Sequence, residues 1–186
     1  VTWQELLIQV SLLLSDTAAH VLPLVVRARA AVGMLLAFDT GARASDLPAA
    51  LASELRPPPV GIQGALRAWS LTFHPLPTGV PSKTNKFDHT VTIGTSAPDR
   101  EWMSQLMPAL HLMPRSSPSL LDIPASAYAT CFHSSRQAAG FPPRNIHQMR
   151  HGCASADSAI HGRSDLEIQT RQGWATLASI RTYKKV

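Results

Sequence analysis

The segment HQMRHGCAS, residues 147–155, places two histidines and an arginine within about one helical turn. His147 precedes Arg150 by three positions, and His151 follows it directly. A histidine pair at i and i+4 can chelate zinc, but the third ligand would have to be Cys153 or a remote residue, because no carboxylate lies between the histidines. We therefore interpret the segment as a site that uses an imidazole and a guanidinium together, and we expect no metal.

The motifs of several common enzyme classes are missing from the chain. The sequence has no GxSxG, no GxxxxGK[ST] and no HExxH. These are the signatures of the serine hydrolase elbow, the phosphate-binding P-loop and the zincin metal site. None of those three chemistries is predicted.

The positive charge is concentrated in the last third of the chain. Residues 1–130 hold nine basic and nine acidic side chains, whereas residues 131–186 hold eight basic and three acidic ones, which is the whole net charge of +5. A one-sided basic excess is typical of proteins that bind a polyanion. The alternative is a solvated charged surface with no partner.

Size and composition favour one domain, residues 1–186. At 45% hydrophobic residues, the 186-residue chain can bury one core of ordinary size. Cys131 and Cys153 lack a CxxC pattern and suggest buried thiols in a reducing compartment. The longest apolar stretch, Leu6–Val26, is interrupted by polar residues and Pro23, which argues against a membrane span.

Hydrophobic periodicity predicts a mainly α-helical domain with a small three-stranded antiparallel β-sheet. Helices are predicted at 3–14, 21–38 with a possible break near Pro23, 44–51, 99–113, 123–140, 147–159, 164–172 and 176–185. Strands are predicted in AWSLTFHP, GVPSK and HTVTIG, within residues 68–94.

Four separated motifs together resemble the catalytic domain of the tyrosine recombinase, or phage integrase, family. TGARASDL at 40–47 is similar to the family's T-G-x-R-x-S-[ED]-L box, and HQMRH to its H-x-x-R-H box. Gly173 and Trp174 match its G-H or G-W pair, and Tyr183 lies nine residues after Trp174, the family's spacing to its nucleophile. Lys83, in SKTNK between two predicted strands, matches the hairpin lysine. The resemblance covers about residue 18 to the end and implies the DNA breaking-rejoining fold.

The resemblance implies a site-specific recombinase that cleaves and rejoins double-stranded DNA through a 3′-phosphotyrosine. The catalytic residues that it implies are Arg43, Lys83, His147, Arg150, Trp174 and Tyr183. Two guanidiniums would stabilise the charge of the transition state, and a lysine would protonate the leaving 5′-oxygen. The family uses neither ATP nor a metal, so no cofactor is expected.

Further residues are predicted to support this site. Asp46 would orient the arginines or His151, and His151 could equally be a buried histidine. Basic side chains predicted to contact DNA are Lys86, Arg144, Arg163, Arg171 and Arg181. Taken singly, each catalytic candidate has an ordinary structural explanation, such as a core tryptophan or a surface arginine. Their joint order and spacing favour the catalytic interpretation.

The chain also departs from the family pattern. Forty positions separate Arg43 from Lys83, more than compact members have, so Lys86 could replace Lys83 as the general acid. Neither the family's preceding core-binding domain nor its trailing segment is recognised, so the chain resembles a fragment whose activity in isolation is open.

Two other functions remain open from the sequence. The chain could be a decayed or domesticated recombinase domain that only binds DNA, or a type IB topoisomerase-like enzyme that relaxes DNA. Other protomers of the same protein are the expected partners in a recombination complex, and no membrane is expected. Residues 69–88 resemble integrase-like genes of eukaryotic mobile elements, which favours a nuclear location. In a bacterium, the cytoplasm or nucleoid is expected.

Overall fold

A computed structural model describes residues 1–15, 22–59, 68–95 and 97–183, without the side chains of residues 182 and 183. Eight α-helices and three strands lie in these ranges. The helices are α1 (Trp3–Leu14), α2 (Leu24–Thr40), α3 (Asp46–Ala49), α4 (Met103–Leu112), α5 (Ala125–Ala138), α6 (Gln148–Ala159), α7 (Asp165–Gln172) and α8 (Leu177–Tyr183). The strands are β1 (Leu55–Arg56), β2 (Ser70–Phe73) and β3 (His89–Thr92). The prediction of a mainly helical domain with a small three-stranded antiparallel sheet is confirmed.

Helix α2 is the centre of the core. Every residue from 33 to 40 is buried, as expected for a helix that is apolar on nearly all sides. It packs against α1, α5 and α6, which contribute Leu6, Phe132 and Met149. The helix begins after Pro23 and ends at Gly41, whose φ of 65° is the left-handed conformation that glycine adopts readily. The chain therefore turns sharply two residues before Arg43.

Capping explains where two of the other helices begin. The Thr2 side chain accepts the N–H of Glu5, and the Glu5 carboxylate accepts the N–H of Thr2. Ser164 and Glu167 form the same reciprocal pair at the start of α7. Such capping boxes satisfy amides that a helix leaves without partners.

One predicted strand was wrong and one strand was missed. The sheet order is β1-β2-β3, so the third strand of the sheet is Leu55–Arg56, which pairs with β2, and not GVPSK. In that segment Gly79 has a φ of 67°, and Pro81 has no N–H to donate to a ladder. The chain then closes a turn in which Ser82 N–H donates to the Lys86 carbonyl at 2.9 Å. Lys83 and Lys86 nevertheless lie in the connection between two paired strands, as predicted.

Cys131 and Cys153 are both free and buried. None of the helices in the described ranges is long and apolar enough to span a membrane. Val21, Lys184 and Lys185, which we predicted to be helical, lie outside the described residues.

Asp122 stabilises the connection between α4 and α5. Its carboxylate accepts bonds from Arg29 Nη1 at 2.6 Å, the Ser116 N–H at 2.9 Å and Ser117 Oγ at 2.6 Å. The hydroxyl of Ser117, the amide of Ser116 and the guanidinium of Arg29 hold the pKa of this carboxyl well below its usual range. The stability that Asp122 contributes is therefore complete above the ordinary carboxyl pKa of about 3.9 and is lost as the pH falls through the lower folded pKa.

We expect Asp122→Asn to lower the melting temperature at pH 7, with a gap to the wild type that narrows below about pH 4. Thermal melts from pH 2 to pH 7 measure this, with the exposed Glu101→Gln as the control. A gap that does not change with pH would contradict the role given to the ionised carboxylate.

Candidate active site

A cleft of about 320 Å³ lies among the α2–α3 corner, the β2–β3 connection, the start of α6 and the end of α7. Five of the residues singled out in the sequence line it: Arg43, Asp46, Lys86, Arg150 and Trp174. The chain thus brings side chains more than 130 positions apart into one cavity. Lys83 lies between two lining residues, Ser82 and Thr84, and the His147 carbonyl accepts the N–H of Arg150, another lining residue, at 3.1 Å.

Arg150, in the first turn of α6, is held by contacts on two sides. Its side chain is buried, and Nη2 donates to the Gln172 carbonyl at 2.6 Å. Its guanidinium carbon lies 4.5 Å from the centre of the Trp174 ring. A buried cation needs such partners, and an aromatic face provides a favourable one. The guanidinium therefore has a defined orientation at the edge of the cleft.

Arg43 and Asp46 form a local unit at the start of α3. Asp46 Oδ2 accepts the Arg43 N–H at 3.1 Å and lies 3.9 Å from Arg43 Nη1. The other carboxylate oxygen is 3.4 Å from His74 Nε2. Asp46 therefore lies beside Arg43, one of the arginines that we predicted it to orient, and its histidine neighbour is His74.

His147 directly precedes α6, and its N–H donates to Asn145 Oδ1 at 2.9 Å. Burial lowers its pKa, and the positive charges of Arg150, Arg43 and Lys83 lower it further, with Asp46 acting in the opposite direction. The imidazole is therefore neutral near pH 7 and able to accept a proton.

His151 contacts His147 edge to face, with ring centres 5.6 Å apart. It also lines a separate pocket with Trp3 and Phe38. Within the described ranges, no three His, Cys, Asp or Glu side chains are grouped so that they could hold a metal ion.

Trp174 follows α7 through Gly173, whose φ of 63° ends the helix. The indole packs in a small second core with Ala154, Ile168 and Ile180, and Nε1 donates to Gln172 Oε1 at 3.0 Å. Because Ile180 belongs to α8, this core anchors the helix that ends at Tyr183. The Tyr183 side chain itself lies outside the described residues.

The two candidate lysines occupy different places on the β2–β3 connection. Both are exposed. Lys86 lines the cleft, whereas Lys83 is among the charges that lower the pKa of His147.

The five basic residues predicted to contact DNA divide into two groups. Lys86, Arg144 and Arg181 are exposed. Arg163 Nη1 lies 2.8 Å from the buried carboxylate of Asp157, and Arg171 Nη2 donates to the Asp39 carbonyl at 2.8 Å. These last two arginines thus have partners inside the protein, and their contact with DNA stays a prediction.

Among the cleft residues that sequence reasoning missed are His74, His89 and Gln172. His74 directly follows β2 in a left-handed conformation with a φ of 54°. His89 Nε2 lies 3.0 Å from the Arg171 carbonyl, and burial lowers its pKa. Polar residues at the ends of β2, β3 and α7 were the available signal, but nothing in the sequence showed which side of each element faces the cleft.

Comparison with known proteins gave matches among solved structures only. No protein-family model and no curated protein sequence matches the chain. XerA recombinase superposes with a TM-score of 0.66 at 14% identity, over 100% of this chain and 60% of that one. XerH site-specific recombinase bound to palindromic difH substrate, in a post-cleavage complex, gives 0.65 at 15%, over 98% and 48%.

A lambda integrase (75–356) dimer bound to a COC′ core site gives a TM-score of 0.64 at 17% identity, over 100% of this chain and 58% of that one. The chain thus spans about half to three-fifths of the length of these structures. The agreement in fold over nearly the whole chain shows that this protein has the catalytic-domain fold of the tyrosine recombinases.

Proposed function

We propose that this chain is the catalytic domain of a site-specific DNA recombinase that cleaves and rejoins DNA through a 3′-phosphotyrosine. The observation that carries the proposal is the convergence of Arg43 and Arg150 on one cleft, beside a neutral His147. The shared fold with recombinases that act on DNA supports it.

The two arginines suit a phosphodiester that carries its own negative charge. Their guanidiniums would donate to the non-bridging oxygens and stabilise the additional charge of the transition state. Asp46 holds the Arg43 backbone and lies close to its side chain, while Trp174 and the Gln172 carbonyl hold Arg150. The Arg150 guanidinium is thus oriented before the substrate arrives, and Asp46 lies near enough to attract that of Arg43, which lowers the cost of reorganisation.

In the proposed cleavage step, Tyr183 Oη attacks the phosphorus, and the bond from phosphorus to the 5′-oxygen breaks. The tyrosine proton passes to His147, and a lysine protonates the departing 5′-oxygen. Rejoining reverses these transfers when a 5′-hydroxyl attacks the phosphotyrosine. The energy of the broken phosphodiester bond is kept in the phosphotyrosine bond, so rejoining requires no ATP.

Double-stranded DNA and further copies of the same protein are the proposed partners. The solved structures of similar fold include a lambda integrase dimer on its core site and XerH on its substrate. The exposed Lys83, Lys86 and Arg144 would contribute phosphate contacts on this chain.

A substrate whose bridging 5′-oxygen is replaced by sulfur can identify the residue that protonates the leaving group. We expect Lys83→Ala to slow cleavage of the ordinary ester by on the order of 10², and the sulfur substrate to restore the rate because a thiolate leaves without a proton. Lys86→Ala is the matched control, since both lysines are exposed on one connection. Rescue of Lys86→Ala alone would transfer the role to Lys86. Rescue of neither variant would contradict a lysine as the acid.

A further inference from the structure

Gln172, the last residue of α7, is 2% exposed and has a partner at each of its polar atoms. Its carbonyl accepts Arg150 Nη2 at 2.6 Å, and its Oε1 accepts Trp174 Nε1 at 3.0 Å. Its Nε2 lies 3.4 Å from Asp157 Oδ2 and 3.3 Å from Cys153 Sγ. One residue therefore contacts two of the proposed catalytic side chains and connects them to the interior of α6.

These neighbours determine the orientation of the Gln172 amide. An indole N–H can only donate, so the group facing Trp174 must be the amide oxygen. An ionised carboxylate can only accept, so the group facing Asp157 must be the amide nitrogen. Arg163 also bonds Asp157, at 2.8 Å.

Gln172 also lies against the corner that carries Arg43. A Cβ added at Gly41 would be 2.5 Å from both Cγ and Cδ of Gln172, so only glycine allows the two segments to approach this closely. Gly41 ends α2 two residues before Arg43. The Gln172 side chain thus lies between the Gly41 corner, which precedes Arg43, and α6, which contains Arg150.

We propose that Gln172 is a positioning residue that sets the relative placement of Arg43, Arg150 and Trp174. The proposal rests on the proposed function. It adds a specific requirement, because an apolar side chain at 172 would remove the amide bonds to the Trp174 indole and to Asp157 within a buried network. Because the Arg150 bond to the backbone carbonyl of residue 172 is kept, the expected consequence acts through Trp174: the indole is displaced, and the Arg150 guanidinium stacked on it is misplaced. The reaction should slow with little change in DNA affinity, since Gln172 is too buried to contact DNA.

The test compares Gln172→Met with Gln9→Met in the full-length protein. Methionine is similar in volume but lacks the amide, and Gln9 is equally buried at 0% exposure in α1, where its Oε1 accepts from Ser135. The first measurement is the indole N–H spectrum of protein labelled with ¹⁵N-tryptophan, in which Trp174→Phe identifies the Trp174 signal. The second is the rate of DNA cleavage, measured together with the DNA dissociation constant for each variant.

For Gln172→Met we expect a shifted Trp174 indole signal with faster hydrogen exchange, and cleavage slower by on the order of 10² with nearly unchanged affinity. Gln9→Met should leave the indole signal in place. An unshifted signal, or a rate no lower than that of Gln9→Met, would overturn the proposal. If Gln172→Met does not fold, rapid exchange of the Trp174 indole in the wild type would overturn it. Should the wild type never cleave DNA, the proposed function fails, while the indole spectrum still tests the network.

Discussion

The Arg150→Lys variant should cleave DNA more slowly than the wild type by on the order of 10²–10³, while its DNA affinity stays nearly unchanged. Lysine keeps the positive charge, so long-range attraction to DNA is retained. It cannot reproduce the planar fork that donates to two phosphate oxygens at once. The loss should therefore appear in the chemical step.

The surroundings of Arg150 strengthen this expectation. Its guanidinium lies over the Trp174 ring and donates to the Gln172 carbonyl, so its planar group is oriented before DNA binds. An ammonium group has no planar face to stack on the indole, and it cannot keep both contacts in the same geometry.

Arg56→Lys is the matched control, because Arg56 is 66% exposed and pairs only loosely with Glu54 at 3.4 Å. Single-turnover cleavage on a nicked duplex and binding on an intact duplex separate the two effects. If Arg150→Lys weakened binding as much as cleavage, Arg150 would be an ordinary phosphate contact, and the transition-state role would be wrong.

Most helices were predictable from hydrophobic periodicity and from the proline and glycine residues near their ends. Helix α2 begins directly after Pro23 and ends at Gly41, and α6 and α7 lie within a residue of their predicted bounds. The sheet was harder to predict because β1 has only two residues, too few to show alternation. GVPSK carries β-branched and alternating residues, but its proline and its turn hydrogen bonds prevent pairing.

The resemblance of the motifs to the tyrosine recombinase family predicted that Arg43, Arg150 and Trp174 would lie together with Asp46 in support, and the four line one cleft. The residues that hold them in place were not predictable in the same way. Gln172 contacts Gly41, Arg150 and Asp157, and these contacts depend on how α7 packs against α2 and α6.

Charge counting could not show that two of the predicted DNA contacts have partners inside the protein. Arg163 and Arg171 add to the basic excess of the last third, but they form internal contacts to Asp157 and Asp39. The net charge predicts the sign of the partner's charge, whereas burial and ion pairing decide which basic side chains can contact that partner. Lys86, Arg144 and Arg181 are the exposed members of the predicted set.

Substitution of Tyr183, the residue proposed to attack the DNA phosphodiester, should have a greater effect than any other change considered above. Tyr183→Phe removes the only atom that can form the covalent bond, so the protein–DNA adduct should disappear entirely while DNA binding remains. Tyr128→Phe is the matched control, because Tyr128 is the chain's other tyrosine. It is 1% exposed, and burial raises its pKa well above the usual range, so it is not a candidate nucleophile.

The most direct measurement traps this adduct with the full-length protein on a library of duplexes that carry a nick and randomised flanking sequence. Loss of the short fragment beside the nick prevents rejoining. We expect an adduct that survives denaturant in the wild type and in Tyr128→Phe, maps to Tyr183 and is absent in Tyr183→Phe. Wild-type protein that binds these duplexes without any adduct, or an adduct that persists in Tyr183→Phe, would contradict this expectation.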